Sequence, residues 1–252
     1  MSKSRYVAGL RAVEVLVARS PSKVLKLYTE YRSVNPRVEA IVAMAKAQAI
    51  EIQSANRARL TQISGESRHQ GVVAEVKRES ILDEAALRTL VEAALTDDDR
   101  SPLLLLVLDG IQDPHNLGAC LRSADAAGVD AVIARRNAAA GLGATVSKVA
   151  AGAAESVPFA SVNNLGKVLK WLGEYGVTVV GTSDAAGQSI FDLDLTGDVA
   201  LVMGEEHTGL GEHVANCCEQ LAHLPMRGLV SSLNVSVATG ICLFEAVRQR
   251  AR

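Results

Sequence analysis

The sequence has few cysteines and no long apolar run. Of its four cysteines two are adjacent, and none belongs to a CxxC pair or has the spacing of zinc ligands. This pattern argues against a disulfide framework or a metal centre, and it predicts reduced thiols in a cytosolic protein. No apolar run approaches the roughly 20 residues that span a bilayer. The N-terminal MSKSRYVAGLRAVEV also lacks the apolar core of a signal peptide, so we expect neither export nor membrane insertion.

The small formal net charge of -2 conceals a division of the chain. Residues 1–78 contain 14 Lys and Arg against 6 Asp and Glu, a balance of +8. Residues 79–252 contain the remaining 12 against 22, a balance of -10. Such asymmetry indicates either a polyanion-binding module joined to a second domain or a basic surface that is only solvated.

The pattern of apolar and polar residues predicts two α/β domains. Residues 1–78 combine a helical pattern at 37–49 with a strand-like HQGVVAEV at 69–76 and form the first domain, and 79–100 form a charged linker with a helix at 83–95. In the second domain, residues 101–252, apolar runs alternate with helical patterns, which is typical of a largely parallel sheet. The predicted strands are 103–109, 131–134, 177–181, 199–204 and 221–225, and the predicted helices 117–127, 165–175 and 235–250.

The loops that follow four of these strands are rich in glycine and polar residues. They are GIQDPHNLGACLRSADAAG, TSDAAG, EEHTGLG and MRGLVSSLN. Ligands of parallel sheets bind at the carboxyl ends of the strands, so the four loops predict one ligand site there.

Motifs of several common enzyme classes are missing. The sequence contains no GxxxxGK[ST], HExxH or GxSxG. GLGATV at 141–146 lacks the third glycine of a dinucleotide fingerprint, and no acidic partner for a ribose follows at the expected distance. A dehydrogenase with a nicotinamide site is therefore disfavoured.

Three segments carry a resemblance to a known family. NLGACLRSA at 116–124, GEEHTG at 204–209 and PMRGLVSSLNVSVA at 225–238 resemble, in the right order, the three motifs of the SpoU (TrmH-type) RNA ribose 2'-O-methyltransferases of the SPOUT superfamily. The resemblance is strong over residues 101–252. HQGVV and the basic segment before it resemble, more weakly, the family's L30e-like RNA-binding domain.

The resemblance implies a fold, a cofactor and partners. We expect a Rossmann-like parallel sheet with a C-terminal deep trefoil knot, in which residues 225–234 form a knot loop and 235–250 the helix after it. The cofactor would be S-adenosylmethionine, bound in a homodimer whose interface completes the site. The resemblance is strongest to members that methylate a guanosine ribose of large-subunit (23S) ribosomal RNA.

The resemblance also implies five catalytic residues. Arg122 would anchor the target phosphate and polarise the ribose hydroxyl. The general-base role proposed for this arginine in the family stays open, although an arginine is normally protonated and would need activation by the substrate. Asn116 would hold the ribose or position Arg122, and Glu206 would orient either of them. Ser232 and Asn234 would lie in a polar loop buried inside the protein. Simpler interpretations stay open: a helix cap for Asn116 at a helix starting near 117, a cap for Asn234, and a solvent-facing position for Arg122.

The implied cofactor-binding residues lie in the same loops. Gly204 and Gly209 would let the backbone bend around the cofactor, and apolar residues of the third motif would flank its adenine, although apolar residues at strand ends usually belong to the core. Glu205 is expected at a solvent-exposed rim. The implied set is Thr182, Gly204, Gly209, Leu224, Met226, Ser232 and Leu233.

Two alternatives to this function stay open. The catalytic motifs indicate the reaction more firmly than the RNA on which it takes place. The first alternative is therefore the same reaction on transfer RNA or on another ribosomal site. The second is a noncatalytic RNA-binding or ribosome-assembly factor. The aromatic content of 3% argues against recognition by extensive base stacking, so phosphate contacts from residues 1–78 are expected to dominate RNA binding.

Overall fold

A computed structural model of the protein describes residues 4–31, 35–77, 81–97, 99–136, 142–206 and 208–251. The chain divides into two compact units, Met1–Ser80 and Ile81–Arg252.

The first unit is a four-stranded sheet with the strand order β1-β4-β2-β3. β4 runs antiparallel to β1 and β2, whereas β2 and β3 are parallel. Apolar residues of α1 and α2 pack on one face of the sheet, around Leu27 and Ala74. The smaller helix α3 contributes Leu60 to a second, minor cluster. The elements are β1 (Ser4–Ala8), α1 (Leu10–Arg19), β2 (Val24–Glu30), α2 (Pro36–Ala47), β3 (Glu51–Ala55), α3 (Arg57–Ser64) and β4 (Val72–Lys77).

The second unit is built on a seven-stranded sheet with the order β7-β6-β5-β10-β8-β11-β9, in which every observed pairing is parallel. Its strands are β5 (Leu104–Leu108), β6 (Ala131–Arg135), β7 (Phe159–Val162), β8 (Thr178–Thr182), β9 (Gln188–Ser189), β10 (Val199–Met203) and β11 (Gln220–His223). Its helices are α4 (Glu84–Leu95), α5 (Pro114–Ala127), α6 (Ala144–Ala150), α7 (Ala153–Ser156), α8 (Leu165–Glu174), α9 (Glu212–Ala215) and α10 (Val235–Arg250).

The central strand β5 explains why this sheet is covered on both faces. Its side chains alternate, so Leu104, Leu106 and Leu108 enter the core shared with α5 and α10. Leu105 and Val107 enter the opposite core, which α4 and α8 cover. An uninterrupted apolar strand is what a sheet between two helical layers requires. The second unit is therefore a three-layer α/β domain, as the sequence predicts.

Most predicted elements of the second unit are present, with boundaries shifted by up to three residues. Helix α10 has the predicted limits. Strands β7 and β9 and helices α6, α7 and α9 were not predicted. The segment predicted as a linker contains α4, whose Leu87 and Val91 are buried in the core of the second unit. The knot formed by the loop before α10 stays a prediction, and Gly141 of the partial glycine-rich motif lies outside the described residues.

No helix among the described residues is long and apolar enough to cross a membrane. They also hold no group of three or more His, Cys, Asp or Glu suited to a metal ion. All four cysteines are free thiols, and burial raises the pKa of Cys242 to about 12.

Candidate active site

The loops after β8, β10 and β11 meet at the carboxyl edge of the parallel sheet and enclose a cavity of about 330 Å³. This is the edge at which the strand pattern predicts a ligand. The volume lies at the lower end of the range usual for small-molecule sites. The cavity is lined by Thr182–Ala185 after β8, by Met203–Glu206 and Thr208–Leu210 around the end of β10, by Ala222–Leu224 and Met226 around the end of β11, and by Ala215, Ser232, Leu233, Val235 and Ala238.

All seven residues predicted to bind a cofactor lie in the lining of this cavity. Their contact with a cofactor stays a prediction. Sequence reasoning did not single out Ser183, Asp184 or His223, which lie there too. The first two belong to the TSDAAG loop, whose polar character was visible, whereas His223 lies in an apolar strand and gave no signal.

The cavity joins apolar and polar surfaces. Leu224, Met226 and Leu233 supply apolar side chains, and Asp184 supplies a carboxylate. The Nδ1 atom of His223 is buried and has no hydrogen-bond partner among the described residues. Buried polar atoms in folded proteins nearly always have a partner, so this nitrogen indicates a site for a polar group of a ligand or for water. The lining therefore offers apolar side chains and polar groups to one ligand.

A tight turn formed by residues 204–206 and 208–211, here called the acidic loop, forms one wall of the cavity. Glu205 and Gly209 exchange backbone hydrogen bonds of 3.0 and 2.9 Å, which close the turn. A Cβ atom on Gly204 would lie 2.2 Å from the carbonyl carbon of Gly209, so a side chain there would force the loop open. Gly209 has a φ of +65°, a conformation that glycine adopts without strain.

Asp109 and Gly110, directly after β5, brace the acidic loop. Asp109 is only 7% exposed, and its carboxylate accepts hydrogen bonds from the Gly211 backbone at 3.1 Å and from Arg135 at 3.3 Å. A Cβ atom on Gly110 would lie 2.5 Å from Oε1 of Glu205. Glu205 is thus half-buried at the wall of the cavity, and its position at a rim stays a prediction. Its side chain packs over Gly110 and accepts a hydrogen bond from Thr208, because the closed turn directs it back toward β5.

Helix α5 begins three residues earlier than predicted. Pro114 occupies its first turn, where a missing N–H costs nothing, and Asp113 is the N-cap. The Asp113 carboxylate accepts hydrogen bonds from the backbones of His115 and Asn116, and these bonds lower the pKa of Asp113. The interpretation of Asn116 as the cap is therefore wrong, and its side chain is available for a tertiary contact.

Asn234 connects three segments that are far apart in the sequence. Its Oδ1 accepts from the backbone N–H of Ser236 at 3.0 Å, so Asn234 does cap α10. Its Nδ2 donates to Oδ1 of Asn116 at 3.0 Å and to Oε2 of Glu206 at 3.2 Å. The oxygen of the Asn234 side-chain amide thus caps α10, and the nitrogen of the same amide bonds to Asn116 and Glu206. Three of the five predicted catalytic residues form a single hydrogen-bonded group.

The other two predicted catalytic residues are not part of this group. Arg122 is exposed on α5 and makes no hydrogen bond or ion pair with the residues that the structure describes. Ser231 and Ser232 are exposed as well, although Ser232 lines the cavity. The prediction that their loop is buried is wrong for the single chain, because Leu229 and Val230 beside them are also exposed and no described element covers this segment.

The parallel sheet and the cavity at its carboxyl edge define an α/β domain of the class that binds a small organic ligand beyond its strand ends. The family described as "SpoU rRNA Methylase family" matches residues 103–244, and "RNA 2'-O ribose methyltransferase substrate binding" matches residues 6–82. The chain belongs to the SpoU rRNA methylase family.

Similar proteins cover nearly the whole chain. The "23S rRNA (guanosine-2'-O-)-methyltransferase RlmB" of Coxiella burnetii is 46% identical over 250 residues, which are 99% of this chain and 98% of that protein. The SpoU methyltransferase AviRb from Streptomyces viridochromogenes, solved in complex with AdoMet, is 25% identical with a TM-score of 0.76, over 99% of this chain and 91% of that one. An AdoMet-bound rRNA methyltransferase from Sinorhizobium meliloti is 28% identical with a TM-score of 0.73, over 98% and 87%.

Proposed function

We propose that this protein transfers a methyl group from S-adenosylmethionine to the ribose 2'-hydroxyl of a guanosine in 23S ribosomal RNA. The observation that carries the proposal is the 46% identity, over essentially both full chains, to a protein with that named activity. The hydrogen-bonded group of Asn116, Glu206 and Asn234 beside the cavity supports it, because it joins residues of all three motifs.

The cavity residues fit S-adenosylmethionine, which supplies a methyl group on a positively charged sulfur when bound. Leu224, Met226 and Leu233 would flank the adenine. Asp184 or the free Nδ1 of His223 would meet polar groups of the cofactor. The closed acidic loop, with Gly204 and Gly209, would keep the cofactor against the sheet.

The site residues then prepare the ribose hydroxyl for attack. Arg122 binds the phosphate beside the target ribose through its guanidinium and polarises the 2'-hydroxyl. Asn234 holds Asn116 together with Glu206, which lines the cavity, so these two side chains would fix the position of the ribose. Holding the hydroxyl in line with the methyl group can account for several kcal/mol of the barrier.

The homodimer is part of the proposal. Within one chain Arg122 has no partner among the described residues, so a second chain is the natural source of the rest of its site. Val237 and Phe244 are exposed on α10 and are seven residues apart, which places them on the same face of the helix. Leu229 and Val230, in the segment before this helix, are exposed as well, and exposed apolar side chains are what an oligomer interface covers.

The basic first unit would bind the RNA through phosphate contacts. The balance of +8 over residues 1–78 supports this role, and the affinity for RNA should fall steeply with salt, because each neutralised phosphate releases counterions. Localisation in the cytoplasm follows from a ribosomal substrate.

The identity of the RNA substrate is tested by incubating the enzyme with separated RNAs. We expect purified protein and labelled S-adenosylmethionine to label 23S rRNA from a strain that lacks this protein, and not 16S rRNA or transfer RNA. Labelling of transfer RNA would contradict the proposed RNA substrate and would still support methyl transfer from S-adenosylmethionine to RNA. Cofactor binding without transfer to free RNA or to ribosomal particles would favour the noncatalytic assembly factor.

A further inference from the structure

The open face of the first unit's sheet carries a row of polar and aromatic side chains. The strand register aligns Tyr6 of β1 with Glu75 of β4. Glu75 is aligned in turn with Lys26 of β2, and Lys26 with Glu51 of β3. Residues aligned in this way point to the same side of a sheet. The opposite face is packed against α1 and α2, so this row belongs to the other face.

Tyr28 stands beside this row and completes an aromatic pair. Its ring lies 6.2 Å from the ring of Tyr6, tilted by 59°. The Tyr28 hydroxyl donates to Glu75 at 3.1 Å, and burial together with this bond raises the pKa of Tyr28 to about 12, which keeps the phenol neutral. The Tyr28 side chain is therefore held in place, and the Tyr6 ring packs against it.

Helix α3 covers only part of this face. Its Leu60 packs with Ala55 and Val73 at one end of the sheet, and Tyr28 touches the edge of that cluster. Tyr6 is left 38% exposed. The sheet face around Tyr6 is thus open to a partner, and its two rings are half of the four tyrosines of the whole chain.

The charges around the pair fit an RNA strand better than an apolar partner. Lys77 follows Glu75 by two residues on the same face, and Arg59 of α3 lies close enough to Tyr28 to act on its hydroxyl electrostatically. Lys26 contacts Glu51 at 2.7 Å. A face of one or two rings among charged groups is too small and too polar to bury a protein segment.

We propose that Tyr6 is a stacking platform for one unpaired base of the RNA substrate, with Lys77 and Arg59 beside the flanking phosphates. This inference rests on the proposed function and adds a base contact to it. An exposed ring on a sheet is a sequence-tolerant support, because every base has a π-face. Glu75 would add selectivity, since it lies on the same face as Tyr6 and a carboxylate accepts from the amino groups of bases.

The test compares Tyr6→Ala, Tyr6→Phe and Tyr31→Ala in the full-length enzyme. Tyr31 is a matched control, because it is also exposed in the first unit but lies just beyond the end of β2 and outside the aromatic pair. We expect Tyr6→Ala to raise the KM for 23S rRNA by about 5- to 100-fold with kcat nearly unchanged. Tyr6→Phe keeps the ring and should restore the wild-type KM, whereas Tyr31→Ala should leave the KM unchanged.

Two outcomes would overturn the platform. One is a wild-type KM for Tyr6→Ala. The other is an equal loss in Tyr6→Ala and Tyr6→Phe, which would assign the effect to the hydroxyl and not to stacking. Circular dichroism of each variant identifies a folding defect, and in that case the Tyr6→Phe comparison decides. If the wild-type enzyme itself transfers no methyl group to 23S rRNA, the proposed function fails independently of Tyr6.

Discussion

Replacing Arg122 by alanine is expected to abolish methyl transfer, with a loss on the order of 10³-fold in kcat, and to leave the affinity for S-adenosylmethionine unchanged. Arg122 is exposed and lies outside the lining of the cavity, so its removal should disturb neither the fold nor the cofactor. Arg122→Lys keeps the charge without the planar fork that matches a phosphate and should recover only part of the activity. Calorimetry with the cofactor and single-turnover transfer to 23S rRNA measure the two effects. Normal turnover by Arg122→Ala would remove this residue from the mechanism.

The same variant tests whether the site is shared between two chains. Arg122→Ala protomers mixed with Asn234→Asp protomers, whose own activity is expected to be low, should regain about a quarter of wild-type activity if Arg122 acts on the partner's site. Random pairing makes half of the dimers mixed, and each mixed dimer then has one intact site of two. If each chain completes its own site, every site in the mixture carries one defect and no activity returns.

Replacing Asn234 by aspartate is expected to lower kcat by about 10²-fold with little change in stability. An aspartate still accepts from the Ser236 backbone and still caps α10, since asparagine and aspartate are equivalent caps. It has no N–H to donate to Asn116, and it places a second carboxylate beside Glu206. Thermal unfolding and single-turnover transfer separate the cap from the tertiary link.

The matched control for this change is Asn164→Asp. Asn164 caps α8 by accepting from the Lys167 backbone at 3.0 Å, and it has no role in the cavity. Its replacement should leave both stability and activity near the wild-type values. Equal activity in the two variants would show that Asn234 is only a cap.

The strand pattern of the second unit was predictable because its strands are buried on both faces. A continuous apolar run such as the one at β5 stands out in a sequence, and the polar loop behind each run indicates the edge where a ligand binds. The strands β7 and β9 escaped prediction because they are four and two residues long and carry no such run. The start of α5 was misplaced because Pro114 and Asp113 were not recognised as its first turn and its cap.

The sequence predicts which residues belong to the site better than it predicts the contacts that these residues make with one another. Motif positions place Asn116, Glu206 and Asn234 in one site, but the sequence does not say that Asn234 holds the other two, because that depends on where three loops meet in space. Glu206 is predicted to orient Arg122 or Asn116; among the described residues it bonds to neither directly and is joined to Asn116 through Asn234. The low aromatic content argues against extensive base stacking, and it gives no sign of the single pair that Tyr6 and Tyr28 form because β1 pairs with β4 and β4 with β2.

The most direct test of the account is the chemical identity and position of the modified nucleotide. After reaction with S-adenosylmethionine, 23S rRNA should resist alkaline cleavage at a single new position, because cleavage requires a free 2'-hydroxyl, and nuclease digestion should release 2'-O-methylguanosine. A guanosine methylated on its base, with the alkaline ladder unbroken, would contradict ribose methylation.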